Sequence, residues 1–127
     1  MVAFNFSVFL DKVENRTKRR TIRKTRRCKV GDKIQLYTGM RTRKCRKLVE
    51  DDPTCTLTIA ISIYDENNLH CEGHRQSDET REGFAKADGF NSFAEMAAWF
   101  DNKYGLPFNG YVHQWDWATD KAIEAAE

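Results

Sequence analysis

The chain has 127 residues, of which 40% are hydrophobic, 31% charged and 12% aromatic. That is a globular composition at the length of about one domain. No apolar run approaches the ~20 residues of a membrane helix, and the opening MVAFNFSVFLDK lacks a basic n-region and a small-residue cleavage site. No membrane partner and no signal peptide are therefore expected, and the cytoplasm is the expected location.

The net charge of +2 conceals an asymmetry. Residues 1–50 hold sixteen Lys/Arg against four Asp/Glu, and residues 51–127 hold five against fifteen. Within 16–29, nine of fourteen residues are basic and none is acidic. Like charges that dense repel one another, and an anionic partner such as a phosphate backbone relieves the repulsion.

In chain order, residues 2–6 alternate apolar and polar as a strand does. Ser7 is placed to cap a helix over 8–15, with Phe9 and Val13 on one face. The β-branched Thr21, Ile22 and Thr25 predict a strand over 20–26 with a basic exposed face. After a turn at Val30-Gly31-Asp32, residues 33–38 form a strand that buries Ile34 and Leu36 and shows Tyr37. A further strand is expected at 43–48. Residues 54–64 form the clearest strand, with Cys55, Leu57, Ile59, Ile61 and Ile63 on one face, and 69–72 pair back after a turn at Asn67-Asn68.

Ser77 caps a helix over 78–87 that ends before Gly89. Ser92 and Glu95 form a capping box for a second helix, whose stripe of Phe93, Met96, Ala97, Phe100 and Tyr104 reads as core. Residues 108–117 make a last strand with Tyr111, His113, Trp115 and Trp117 on one face and Gly110 marking a bulge. This order predicts an α+β fold, mostly antiparallel with flanking helices, in one domain over 1–118 and a tail over 119–127.

The four cysteines form no C-x-x-C pair, and a chain this size with no export signal needs no disulfides, so reduced thiols are expected. The spacing His70-Cys71-x-x-His74 is poor for zinc, so no metal and no cofactor is expected. Phosphate-binding, dinucleotide, zinc-protease and serine-hydrolase motifs are absent from the sequence.

Four segments in order, K-x-x-T-I-R from Lys18, V-G-D-K-I-Q-L-Y-T-G-M-R-T from Val30, A-x-A-D-G-F from Ala85 and P-F-x-G-Y-x-x-x-W from Pro107, resemble the ASCH (ASC-1 homology) family of PUA-like β-barrels, in the form common in bacteriophages and prophages. The resemblance covers about residues 2–117. Against the family signature G-x-K-x-x-E-x-R, Lys18 and Arg23 match, Thr21 replaces the Glu and Arg16 replaces the Gly, which implies a different turn before the basic strand.

The resemblance implies a cleft at one end of a barrel that faces RNA, single-stranded nucleic acid or a modified nucleoside. Arg19, Arg20, Arg23, Lys24, Arg26, Arg27, Arg41 and Arg43 would contact phosphates, and Tyr37, Phe90 or Trp115 would stack on a base, with Trp117 a further candidate. A bacterial subgroup acts as amidohydrolases on N4-acetylcytidine with Lys and Thr three apart and a Glu that would align near Asp88. The corresponding catalytic set is Lys18, Thr21 and Asp88, with Thr21 as nucleophile, Lys18 as a base whose pKa neighbouring arginines depress, and Asp88 as proton shuttle. A ribonuclease has no His pair to support it, and a host protein is the alternative partner for the charged surface.

Overall fold

The computed structural model describes residues 2–117, and the expected tail at 119–127 lies outside them. The elements are β1 (Val2–Phe6), α1 (Leu10–Glu14), β2 (Arg20–Arg23), β3 (Ile34–Thr38), β4 (Arg46–Lys47), β5 (Thr54–Asp65), β6 (Asn68–Cys71), β7 (His74–Arg75), α2 (Asp78–Ala87), α3 (Phe93–Tyr104) and β8 (Phe108–Asp116). The fold is α+β, and its strands form a three-stranded sheet, β1-β3-β4, and a five-stranded sheet, β2-β8-β5-β6-β7. All pairings are antiparallel except β1 with β3. No helix among the described residues is long and apolar enough to cross a membrane.

Among the described residues the ladders do not close into a ring. An isolated bridge between Lys33 and Thr54 joins the two sheets. The edge strands β1 and β2 are joined by side chains instead. The guanidinium of Arg23 donates to the carbonyl of Asn5 at 2.9 Å and that of Arg27 to the carbonyl of Ala3 at 3.1 Å. These cations satisfy edge carbonyls that no neighbouring strand reaches.

Two apolar cores form, one on each face of β8. Phe108 and Val112 pack with Ile61, Ile63, Phe93, Met96 and Phe100 beneath α2 and α3. Trp115 and Trp117 pack with Phe4, Phe6, Ile34, Leu36 and Cys55 beneath β1 and β3. The expected single face of β5 is broken by a bulge between Cys55 and Leu57. The extra residue inverts the alternation, so Cys55 joins the second core while Ile61 and Ile63 join the first. Gly110 sits in an unbroken register rather than a bulge. Its lack of a side chain is needed because a Cβ there would lie 2.6 Å from the carbonyl oxygen of Arg23.

Helices α2 and α3 follow their local signals. Ser77 accepts from the Thr80 amide at 3.2 Å and Ser92 from the Glu95 amide at 3.1 Å, as N-caps do. The first helix differs from expectation. Ser7 does not cap it; the cap position falls on Phe9, in the left-handed region at φ 58, with no side-chain cap. The strand expected over 20–26 ends at Arg23, because the Arg27 amide turns to donate to His113 Nε2 at 2.9 Å. The strand expected over 43–48 shrinks to two residues, because Thr42 and Cys45 tie the preceding loop into turns. All four cysteines are free thiols.

Candidate functional site

The end of β1, the loop leading to α1, β2, the residues after α2 and the last turns of α3 surround one cleft. Its walls include Asn5, Phe9, Lys18, Thr21, Arg23, Asp88, Phe90, Trp99, Lys103 and Tyr104. The cavity has a volume of about 70 Å³. That suits about five waters, or one small planar group in their place.

At its base lies a buried ion pair. Lys18 Nζ stands 3.0 Å from Asp88 Oδ1 and donates to the Asp88 carbonyl at 2.6 Å. The fold brings these residues together because Lys18 leads into β2 and Asp88 closes the C-terminal end of α2. A cation at that end is also favourable for the helix, whose last carbonyls lack partners. Lys12 acts beside it, donating to the Gly89 carbonyl at 2.7 Å. Phe9 closes the pair off from one side. Its ring contacts the backbone of Gly89, where a Cβ would meet it at 3.2 Å, and both lysine ammoniums lie 5.2–5.4 Å from its centre.

Burial holds the Lys18 ammonium below the ordinary lysine range, against the attraction of Asp88, with a smaller contribution from Arg20 and Arg23. The expected cause is thus corrected: desolvation leads, the arginines assist, and Arg19 is turned away to an ion pair with Asp116 at 2.6 Å. Burial also holds the Asp88 carboxyl above the ordinary carboxylate range, against Lys18. Burial therefore presses both partners toward their neutral forms while their contact favours the charged ones.

Thr21 lines the same cleft, and its hydroxyl makes no hydrogen bond among the described residues. Lys18 donates to Asp88 and, among the described residues, makes no hydrogen bond to Thr21. The cleft thus presents an ammonium, a carboxylate and an unengaged hydroxyl to one small volume. Aromatic rings line the approach. Phe9 and Phe90 meet edge to face at 5.1 Å between centres, and Trp99 lies 6.2 Å beyond Phe90.

The remaining expected site residues divide. Phe90 and Arg23 line the cleft. Arg20 is half-buried, donates to the Phe84 carbonyl at 2.6 Å and stacks on the Phe84 ring. Lys24, Arg26 and Arg27 are exposed, and Arg26 and Arg27 edge a separate shallow depression. Arg41 and Arg43 sit on the exposed loop after β3, and Tyr37 is half-buried in β3 between Asn5 and Lys47; none of the three lines the cleft. Trp115 is 1% exposed and Trp117 4%, both inside the second core, so neither can stack on a ligand. Sequence reading missed Phe9, Trp99, Lys103 and Tyr104. The i, i+4 spacing of Trp99 and Lys103 beside Tyr104 was the available signal, but it marks a helix face and not what the face meets.

Among the described residues no group of three or more His, Cys, Asp or Glu is arranged to hold a metal ion. Comparisons with protein families, with curated proteins and with solved structures find no match to this chain.

Proposed function

We propose that the cleft binds a nucleobase, carried by single-stranded nucleic acid, RNA or a modified nucleoside, in a PUA-like domain of the ASCH type. The observation that carries this reading is the convergence of Lys18, Asp88 and the free Thr21 hydroxyl at the end of a cleft walled by Phe9, Phe90 and Trp99. A donor, an acceptor and a hydroxyl side by side suit the hydrogen-bonding edge of a base, and rings along the approach suit its flat faces. The backbone at Arg16 adds support: it stands where the family signature has Gly and adopts φ 64, the left-handed conformation for which Gly is the default residue.

Trp99 supplies the test. It is half-buried at the cleft while Trp115 and Trp117 are enclosed, so titration with nucleosides and short oligonucleotides should quench fluorescence that a Trp99→Phe variant lacks. Absence of any change, with calorimetry equally silent, would overturn the reading in favour of a protein partner.

Hydrolysis of an N-acylated cytosine nucleoside is a second reading, favoured by a lysine whose proton affinity burial has lowered beside a carboxyl and a hydroxyl. In this scheme the Lys18 proton first passes to Asp88, and the neutral amine then takes the Thr21 proton as Thr21 Oγ bonds to the acyl carbon. Asp88 gives its proton to the cytosine amine as the acyl C–N bond breaks, and water then cleaves the acyl-threonine and restores the hydroxyl. Asp88, a methylene shorter than Glu, still reaches Lys18 at 3.0 Å. Turnover of N4-acetylcytidine that disappears in Thr21→Val and in Lys18→Arg, whose guanidinium keeps its proton, supports this scheme. Binding without turnover leaves a reader of bases.

A further inference from the structure

At the mouth of the cleft, the C-terminal turn of α3 meets the residue that follows β2. The ring of Tyr104, 40% exposed, is anchored by Phe100 and Phe108 at 6.1 and 5.1 Å between centres. Two ammoniums flank it: Lys24 Nζ lies 5.1 Å and Lys103 Nζ 5.6 Å from its centre, with Lys103 also 4.8 Å from Trp99. Neither lysine makes a hydrogen bond or ion pair among the described residues. That contrasts with Lys12, Lys18, Arg20 and Arg23, which are all engaged with backbone carbonyls or with Asp88. Two ammoniums that lie over one ring, neither with a hydrogen bond or ion pair among the described residues, leave both charges available to an anionic ligand there.

The cavity, about 70 Å³ in volume, has no space for a second base, so any continuation of a ligand lies outside it. We infer that the cleft takes a polynucleotide strand rather than a free nucleoside: one base enters, its neighbour stacks on Tyr104, and the phosphate between them lies between Lys24 and Lys103. The inference rests on the reading of the cleft as a base pocket. It adds a stacking platform and a phosphate subsite, which make the preferred ligand a strand of at least two nucleotides.

The test is calorimetric titration of the full chain with cytidine, uridine, adenosine and N4-acetylcytidine, and with the dinucleoside monophosphates CpC, UpU and ApA. At least one dinucleoside monophosphate is expected to bind about tenfold tighter than its own nucleoside, as one stacked base supplies. Its affinity should fall as salt rises, because ions screen its one phosphate from Lys24 and Lys103. Tyr104→Leu keeps an apolar side chain on Phe100 and Phe108, so it should fold, and the ratio of dinucleoside to nucleoside affinity should lose its tenfold gain. Lys24→Gln/Lys103→Gln should flatten the salt slope. Cytidine, uridine and adenosine all binding as tightly as their dinucleoside monophosphates, or a gain that survives Tyr104→Leu, overturns the subsite and leaves the base pocket standing. Failure of every nucleoside and every dinucleoside monophosphate to bind overturns both.

Discussion

The ammonium of Lys18 and the carboxylate of Asp88 meet at 3.0 Å with 5% and 6% of their side-chain surfaces exposed. A buried pair of this kind costs desolvation on both sides, and the attraction repays it only when the remaining polar valences are met. Here the Asp88 carbonyl meets one more of them, and the cleft is open to the others.

Removing one partner should therefore be more damaging than removing both. Lys18→Met leaves an uncompensated buried carboxylate, and a loss of roughly 3–5 kcal/mol is expected in urea denaturation. Lys18→Met combined with Asp88→Leu should recover much of that loss. A double variant as unstable as the sum of the single ones would show that the pair is not coupled in the way its geometry indicates.

Arg23 and Lys24 are adjacent in sequence and opposite in role. Arg23 ties β1 to β2 through the Asn5 carbonyl, so Arg23→Gln should cost about 1.5–3 kcal/mol, the range for hydrogen bonds to charged groups. Lys24 is exposed and makes no hydrogen bond or ion pair among the described residues, so Lys24→Gln should stay within about 0.5 kcal/mol of the parent while weakening oligonucleotide binding at low salt. Thermal denaturation and a salt titration of both variants separate the two roles.

His113 is fully buried against Phe4, and its Nε2 accepts from the Arg27 amide. Burial, reinforced by Arg23, Arg27 and Arg26, lowers its pKa from 6.5 to about 4. The unfolded chain takes up that proton below pH 6.5 and the folded chain does not until about pH 4. Stability from this residue is thus complete above pH 6.5 and is lost as the pH falls toward 4, by at most roughly 3 kcal/mol. Denaturation midpoints of the parent and of His113→Gln, compared at pH 7 and pH 4.5, should converge at the lower pH. A constant difference would mean that His113 does not titrate in this window.

The strong elements are legible in the sequence because their signals are local. Ser77, Ser92, Gly89 and Gly105 mark the ends of α2 and α3 within a residue or two, and caps act through bonds that span one turn. The β5 bulge is not legible, because a two-against-one pairing depends on the partner strand rather than on the strand itself. In the cleft, Lys18, Thr21 and Asp88 are suggested only by resemblance to a known family, since a contact across 70 residues leaves no trace in spacing. Charge counting also overstates the free basic surface. Arg20, Arg23 and Arg27 look identical to Lys24 in a run of basic residues, yet their guanidiniums are bound to the Phe84, Asn5 and Ala3 carbonyls.

The most direct measurement is the pairing of stability with ligand affinity in Thr21→Val. The Thr21 hydroxyl makes no hydrogen bond among the described residues, so its replacement by a methyl of the same shape should leave the denaturation midpoint unchanged or slightly raised. If that hydroxyl faces a bound base, the affinity for the tightest nucleoside or oligonucleotide should fall about fivefold or more, for a loss of roughly 1 kcal/mol. Unchanged affinity in a stable Thr21→Val protein would contradict the claim that Lys18, Thr21 and Asp88 form one binding site.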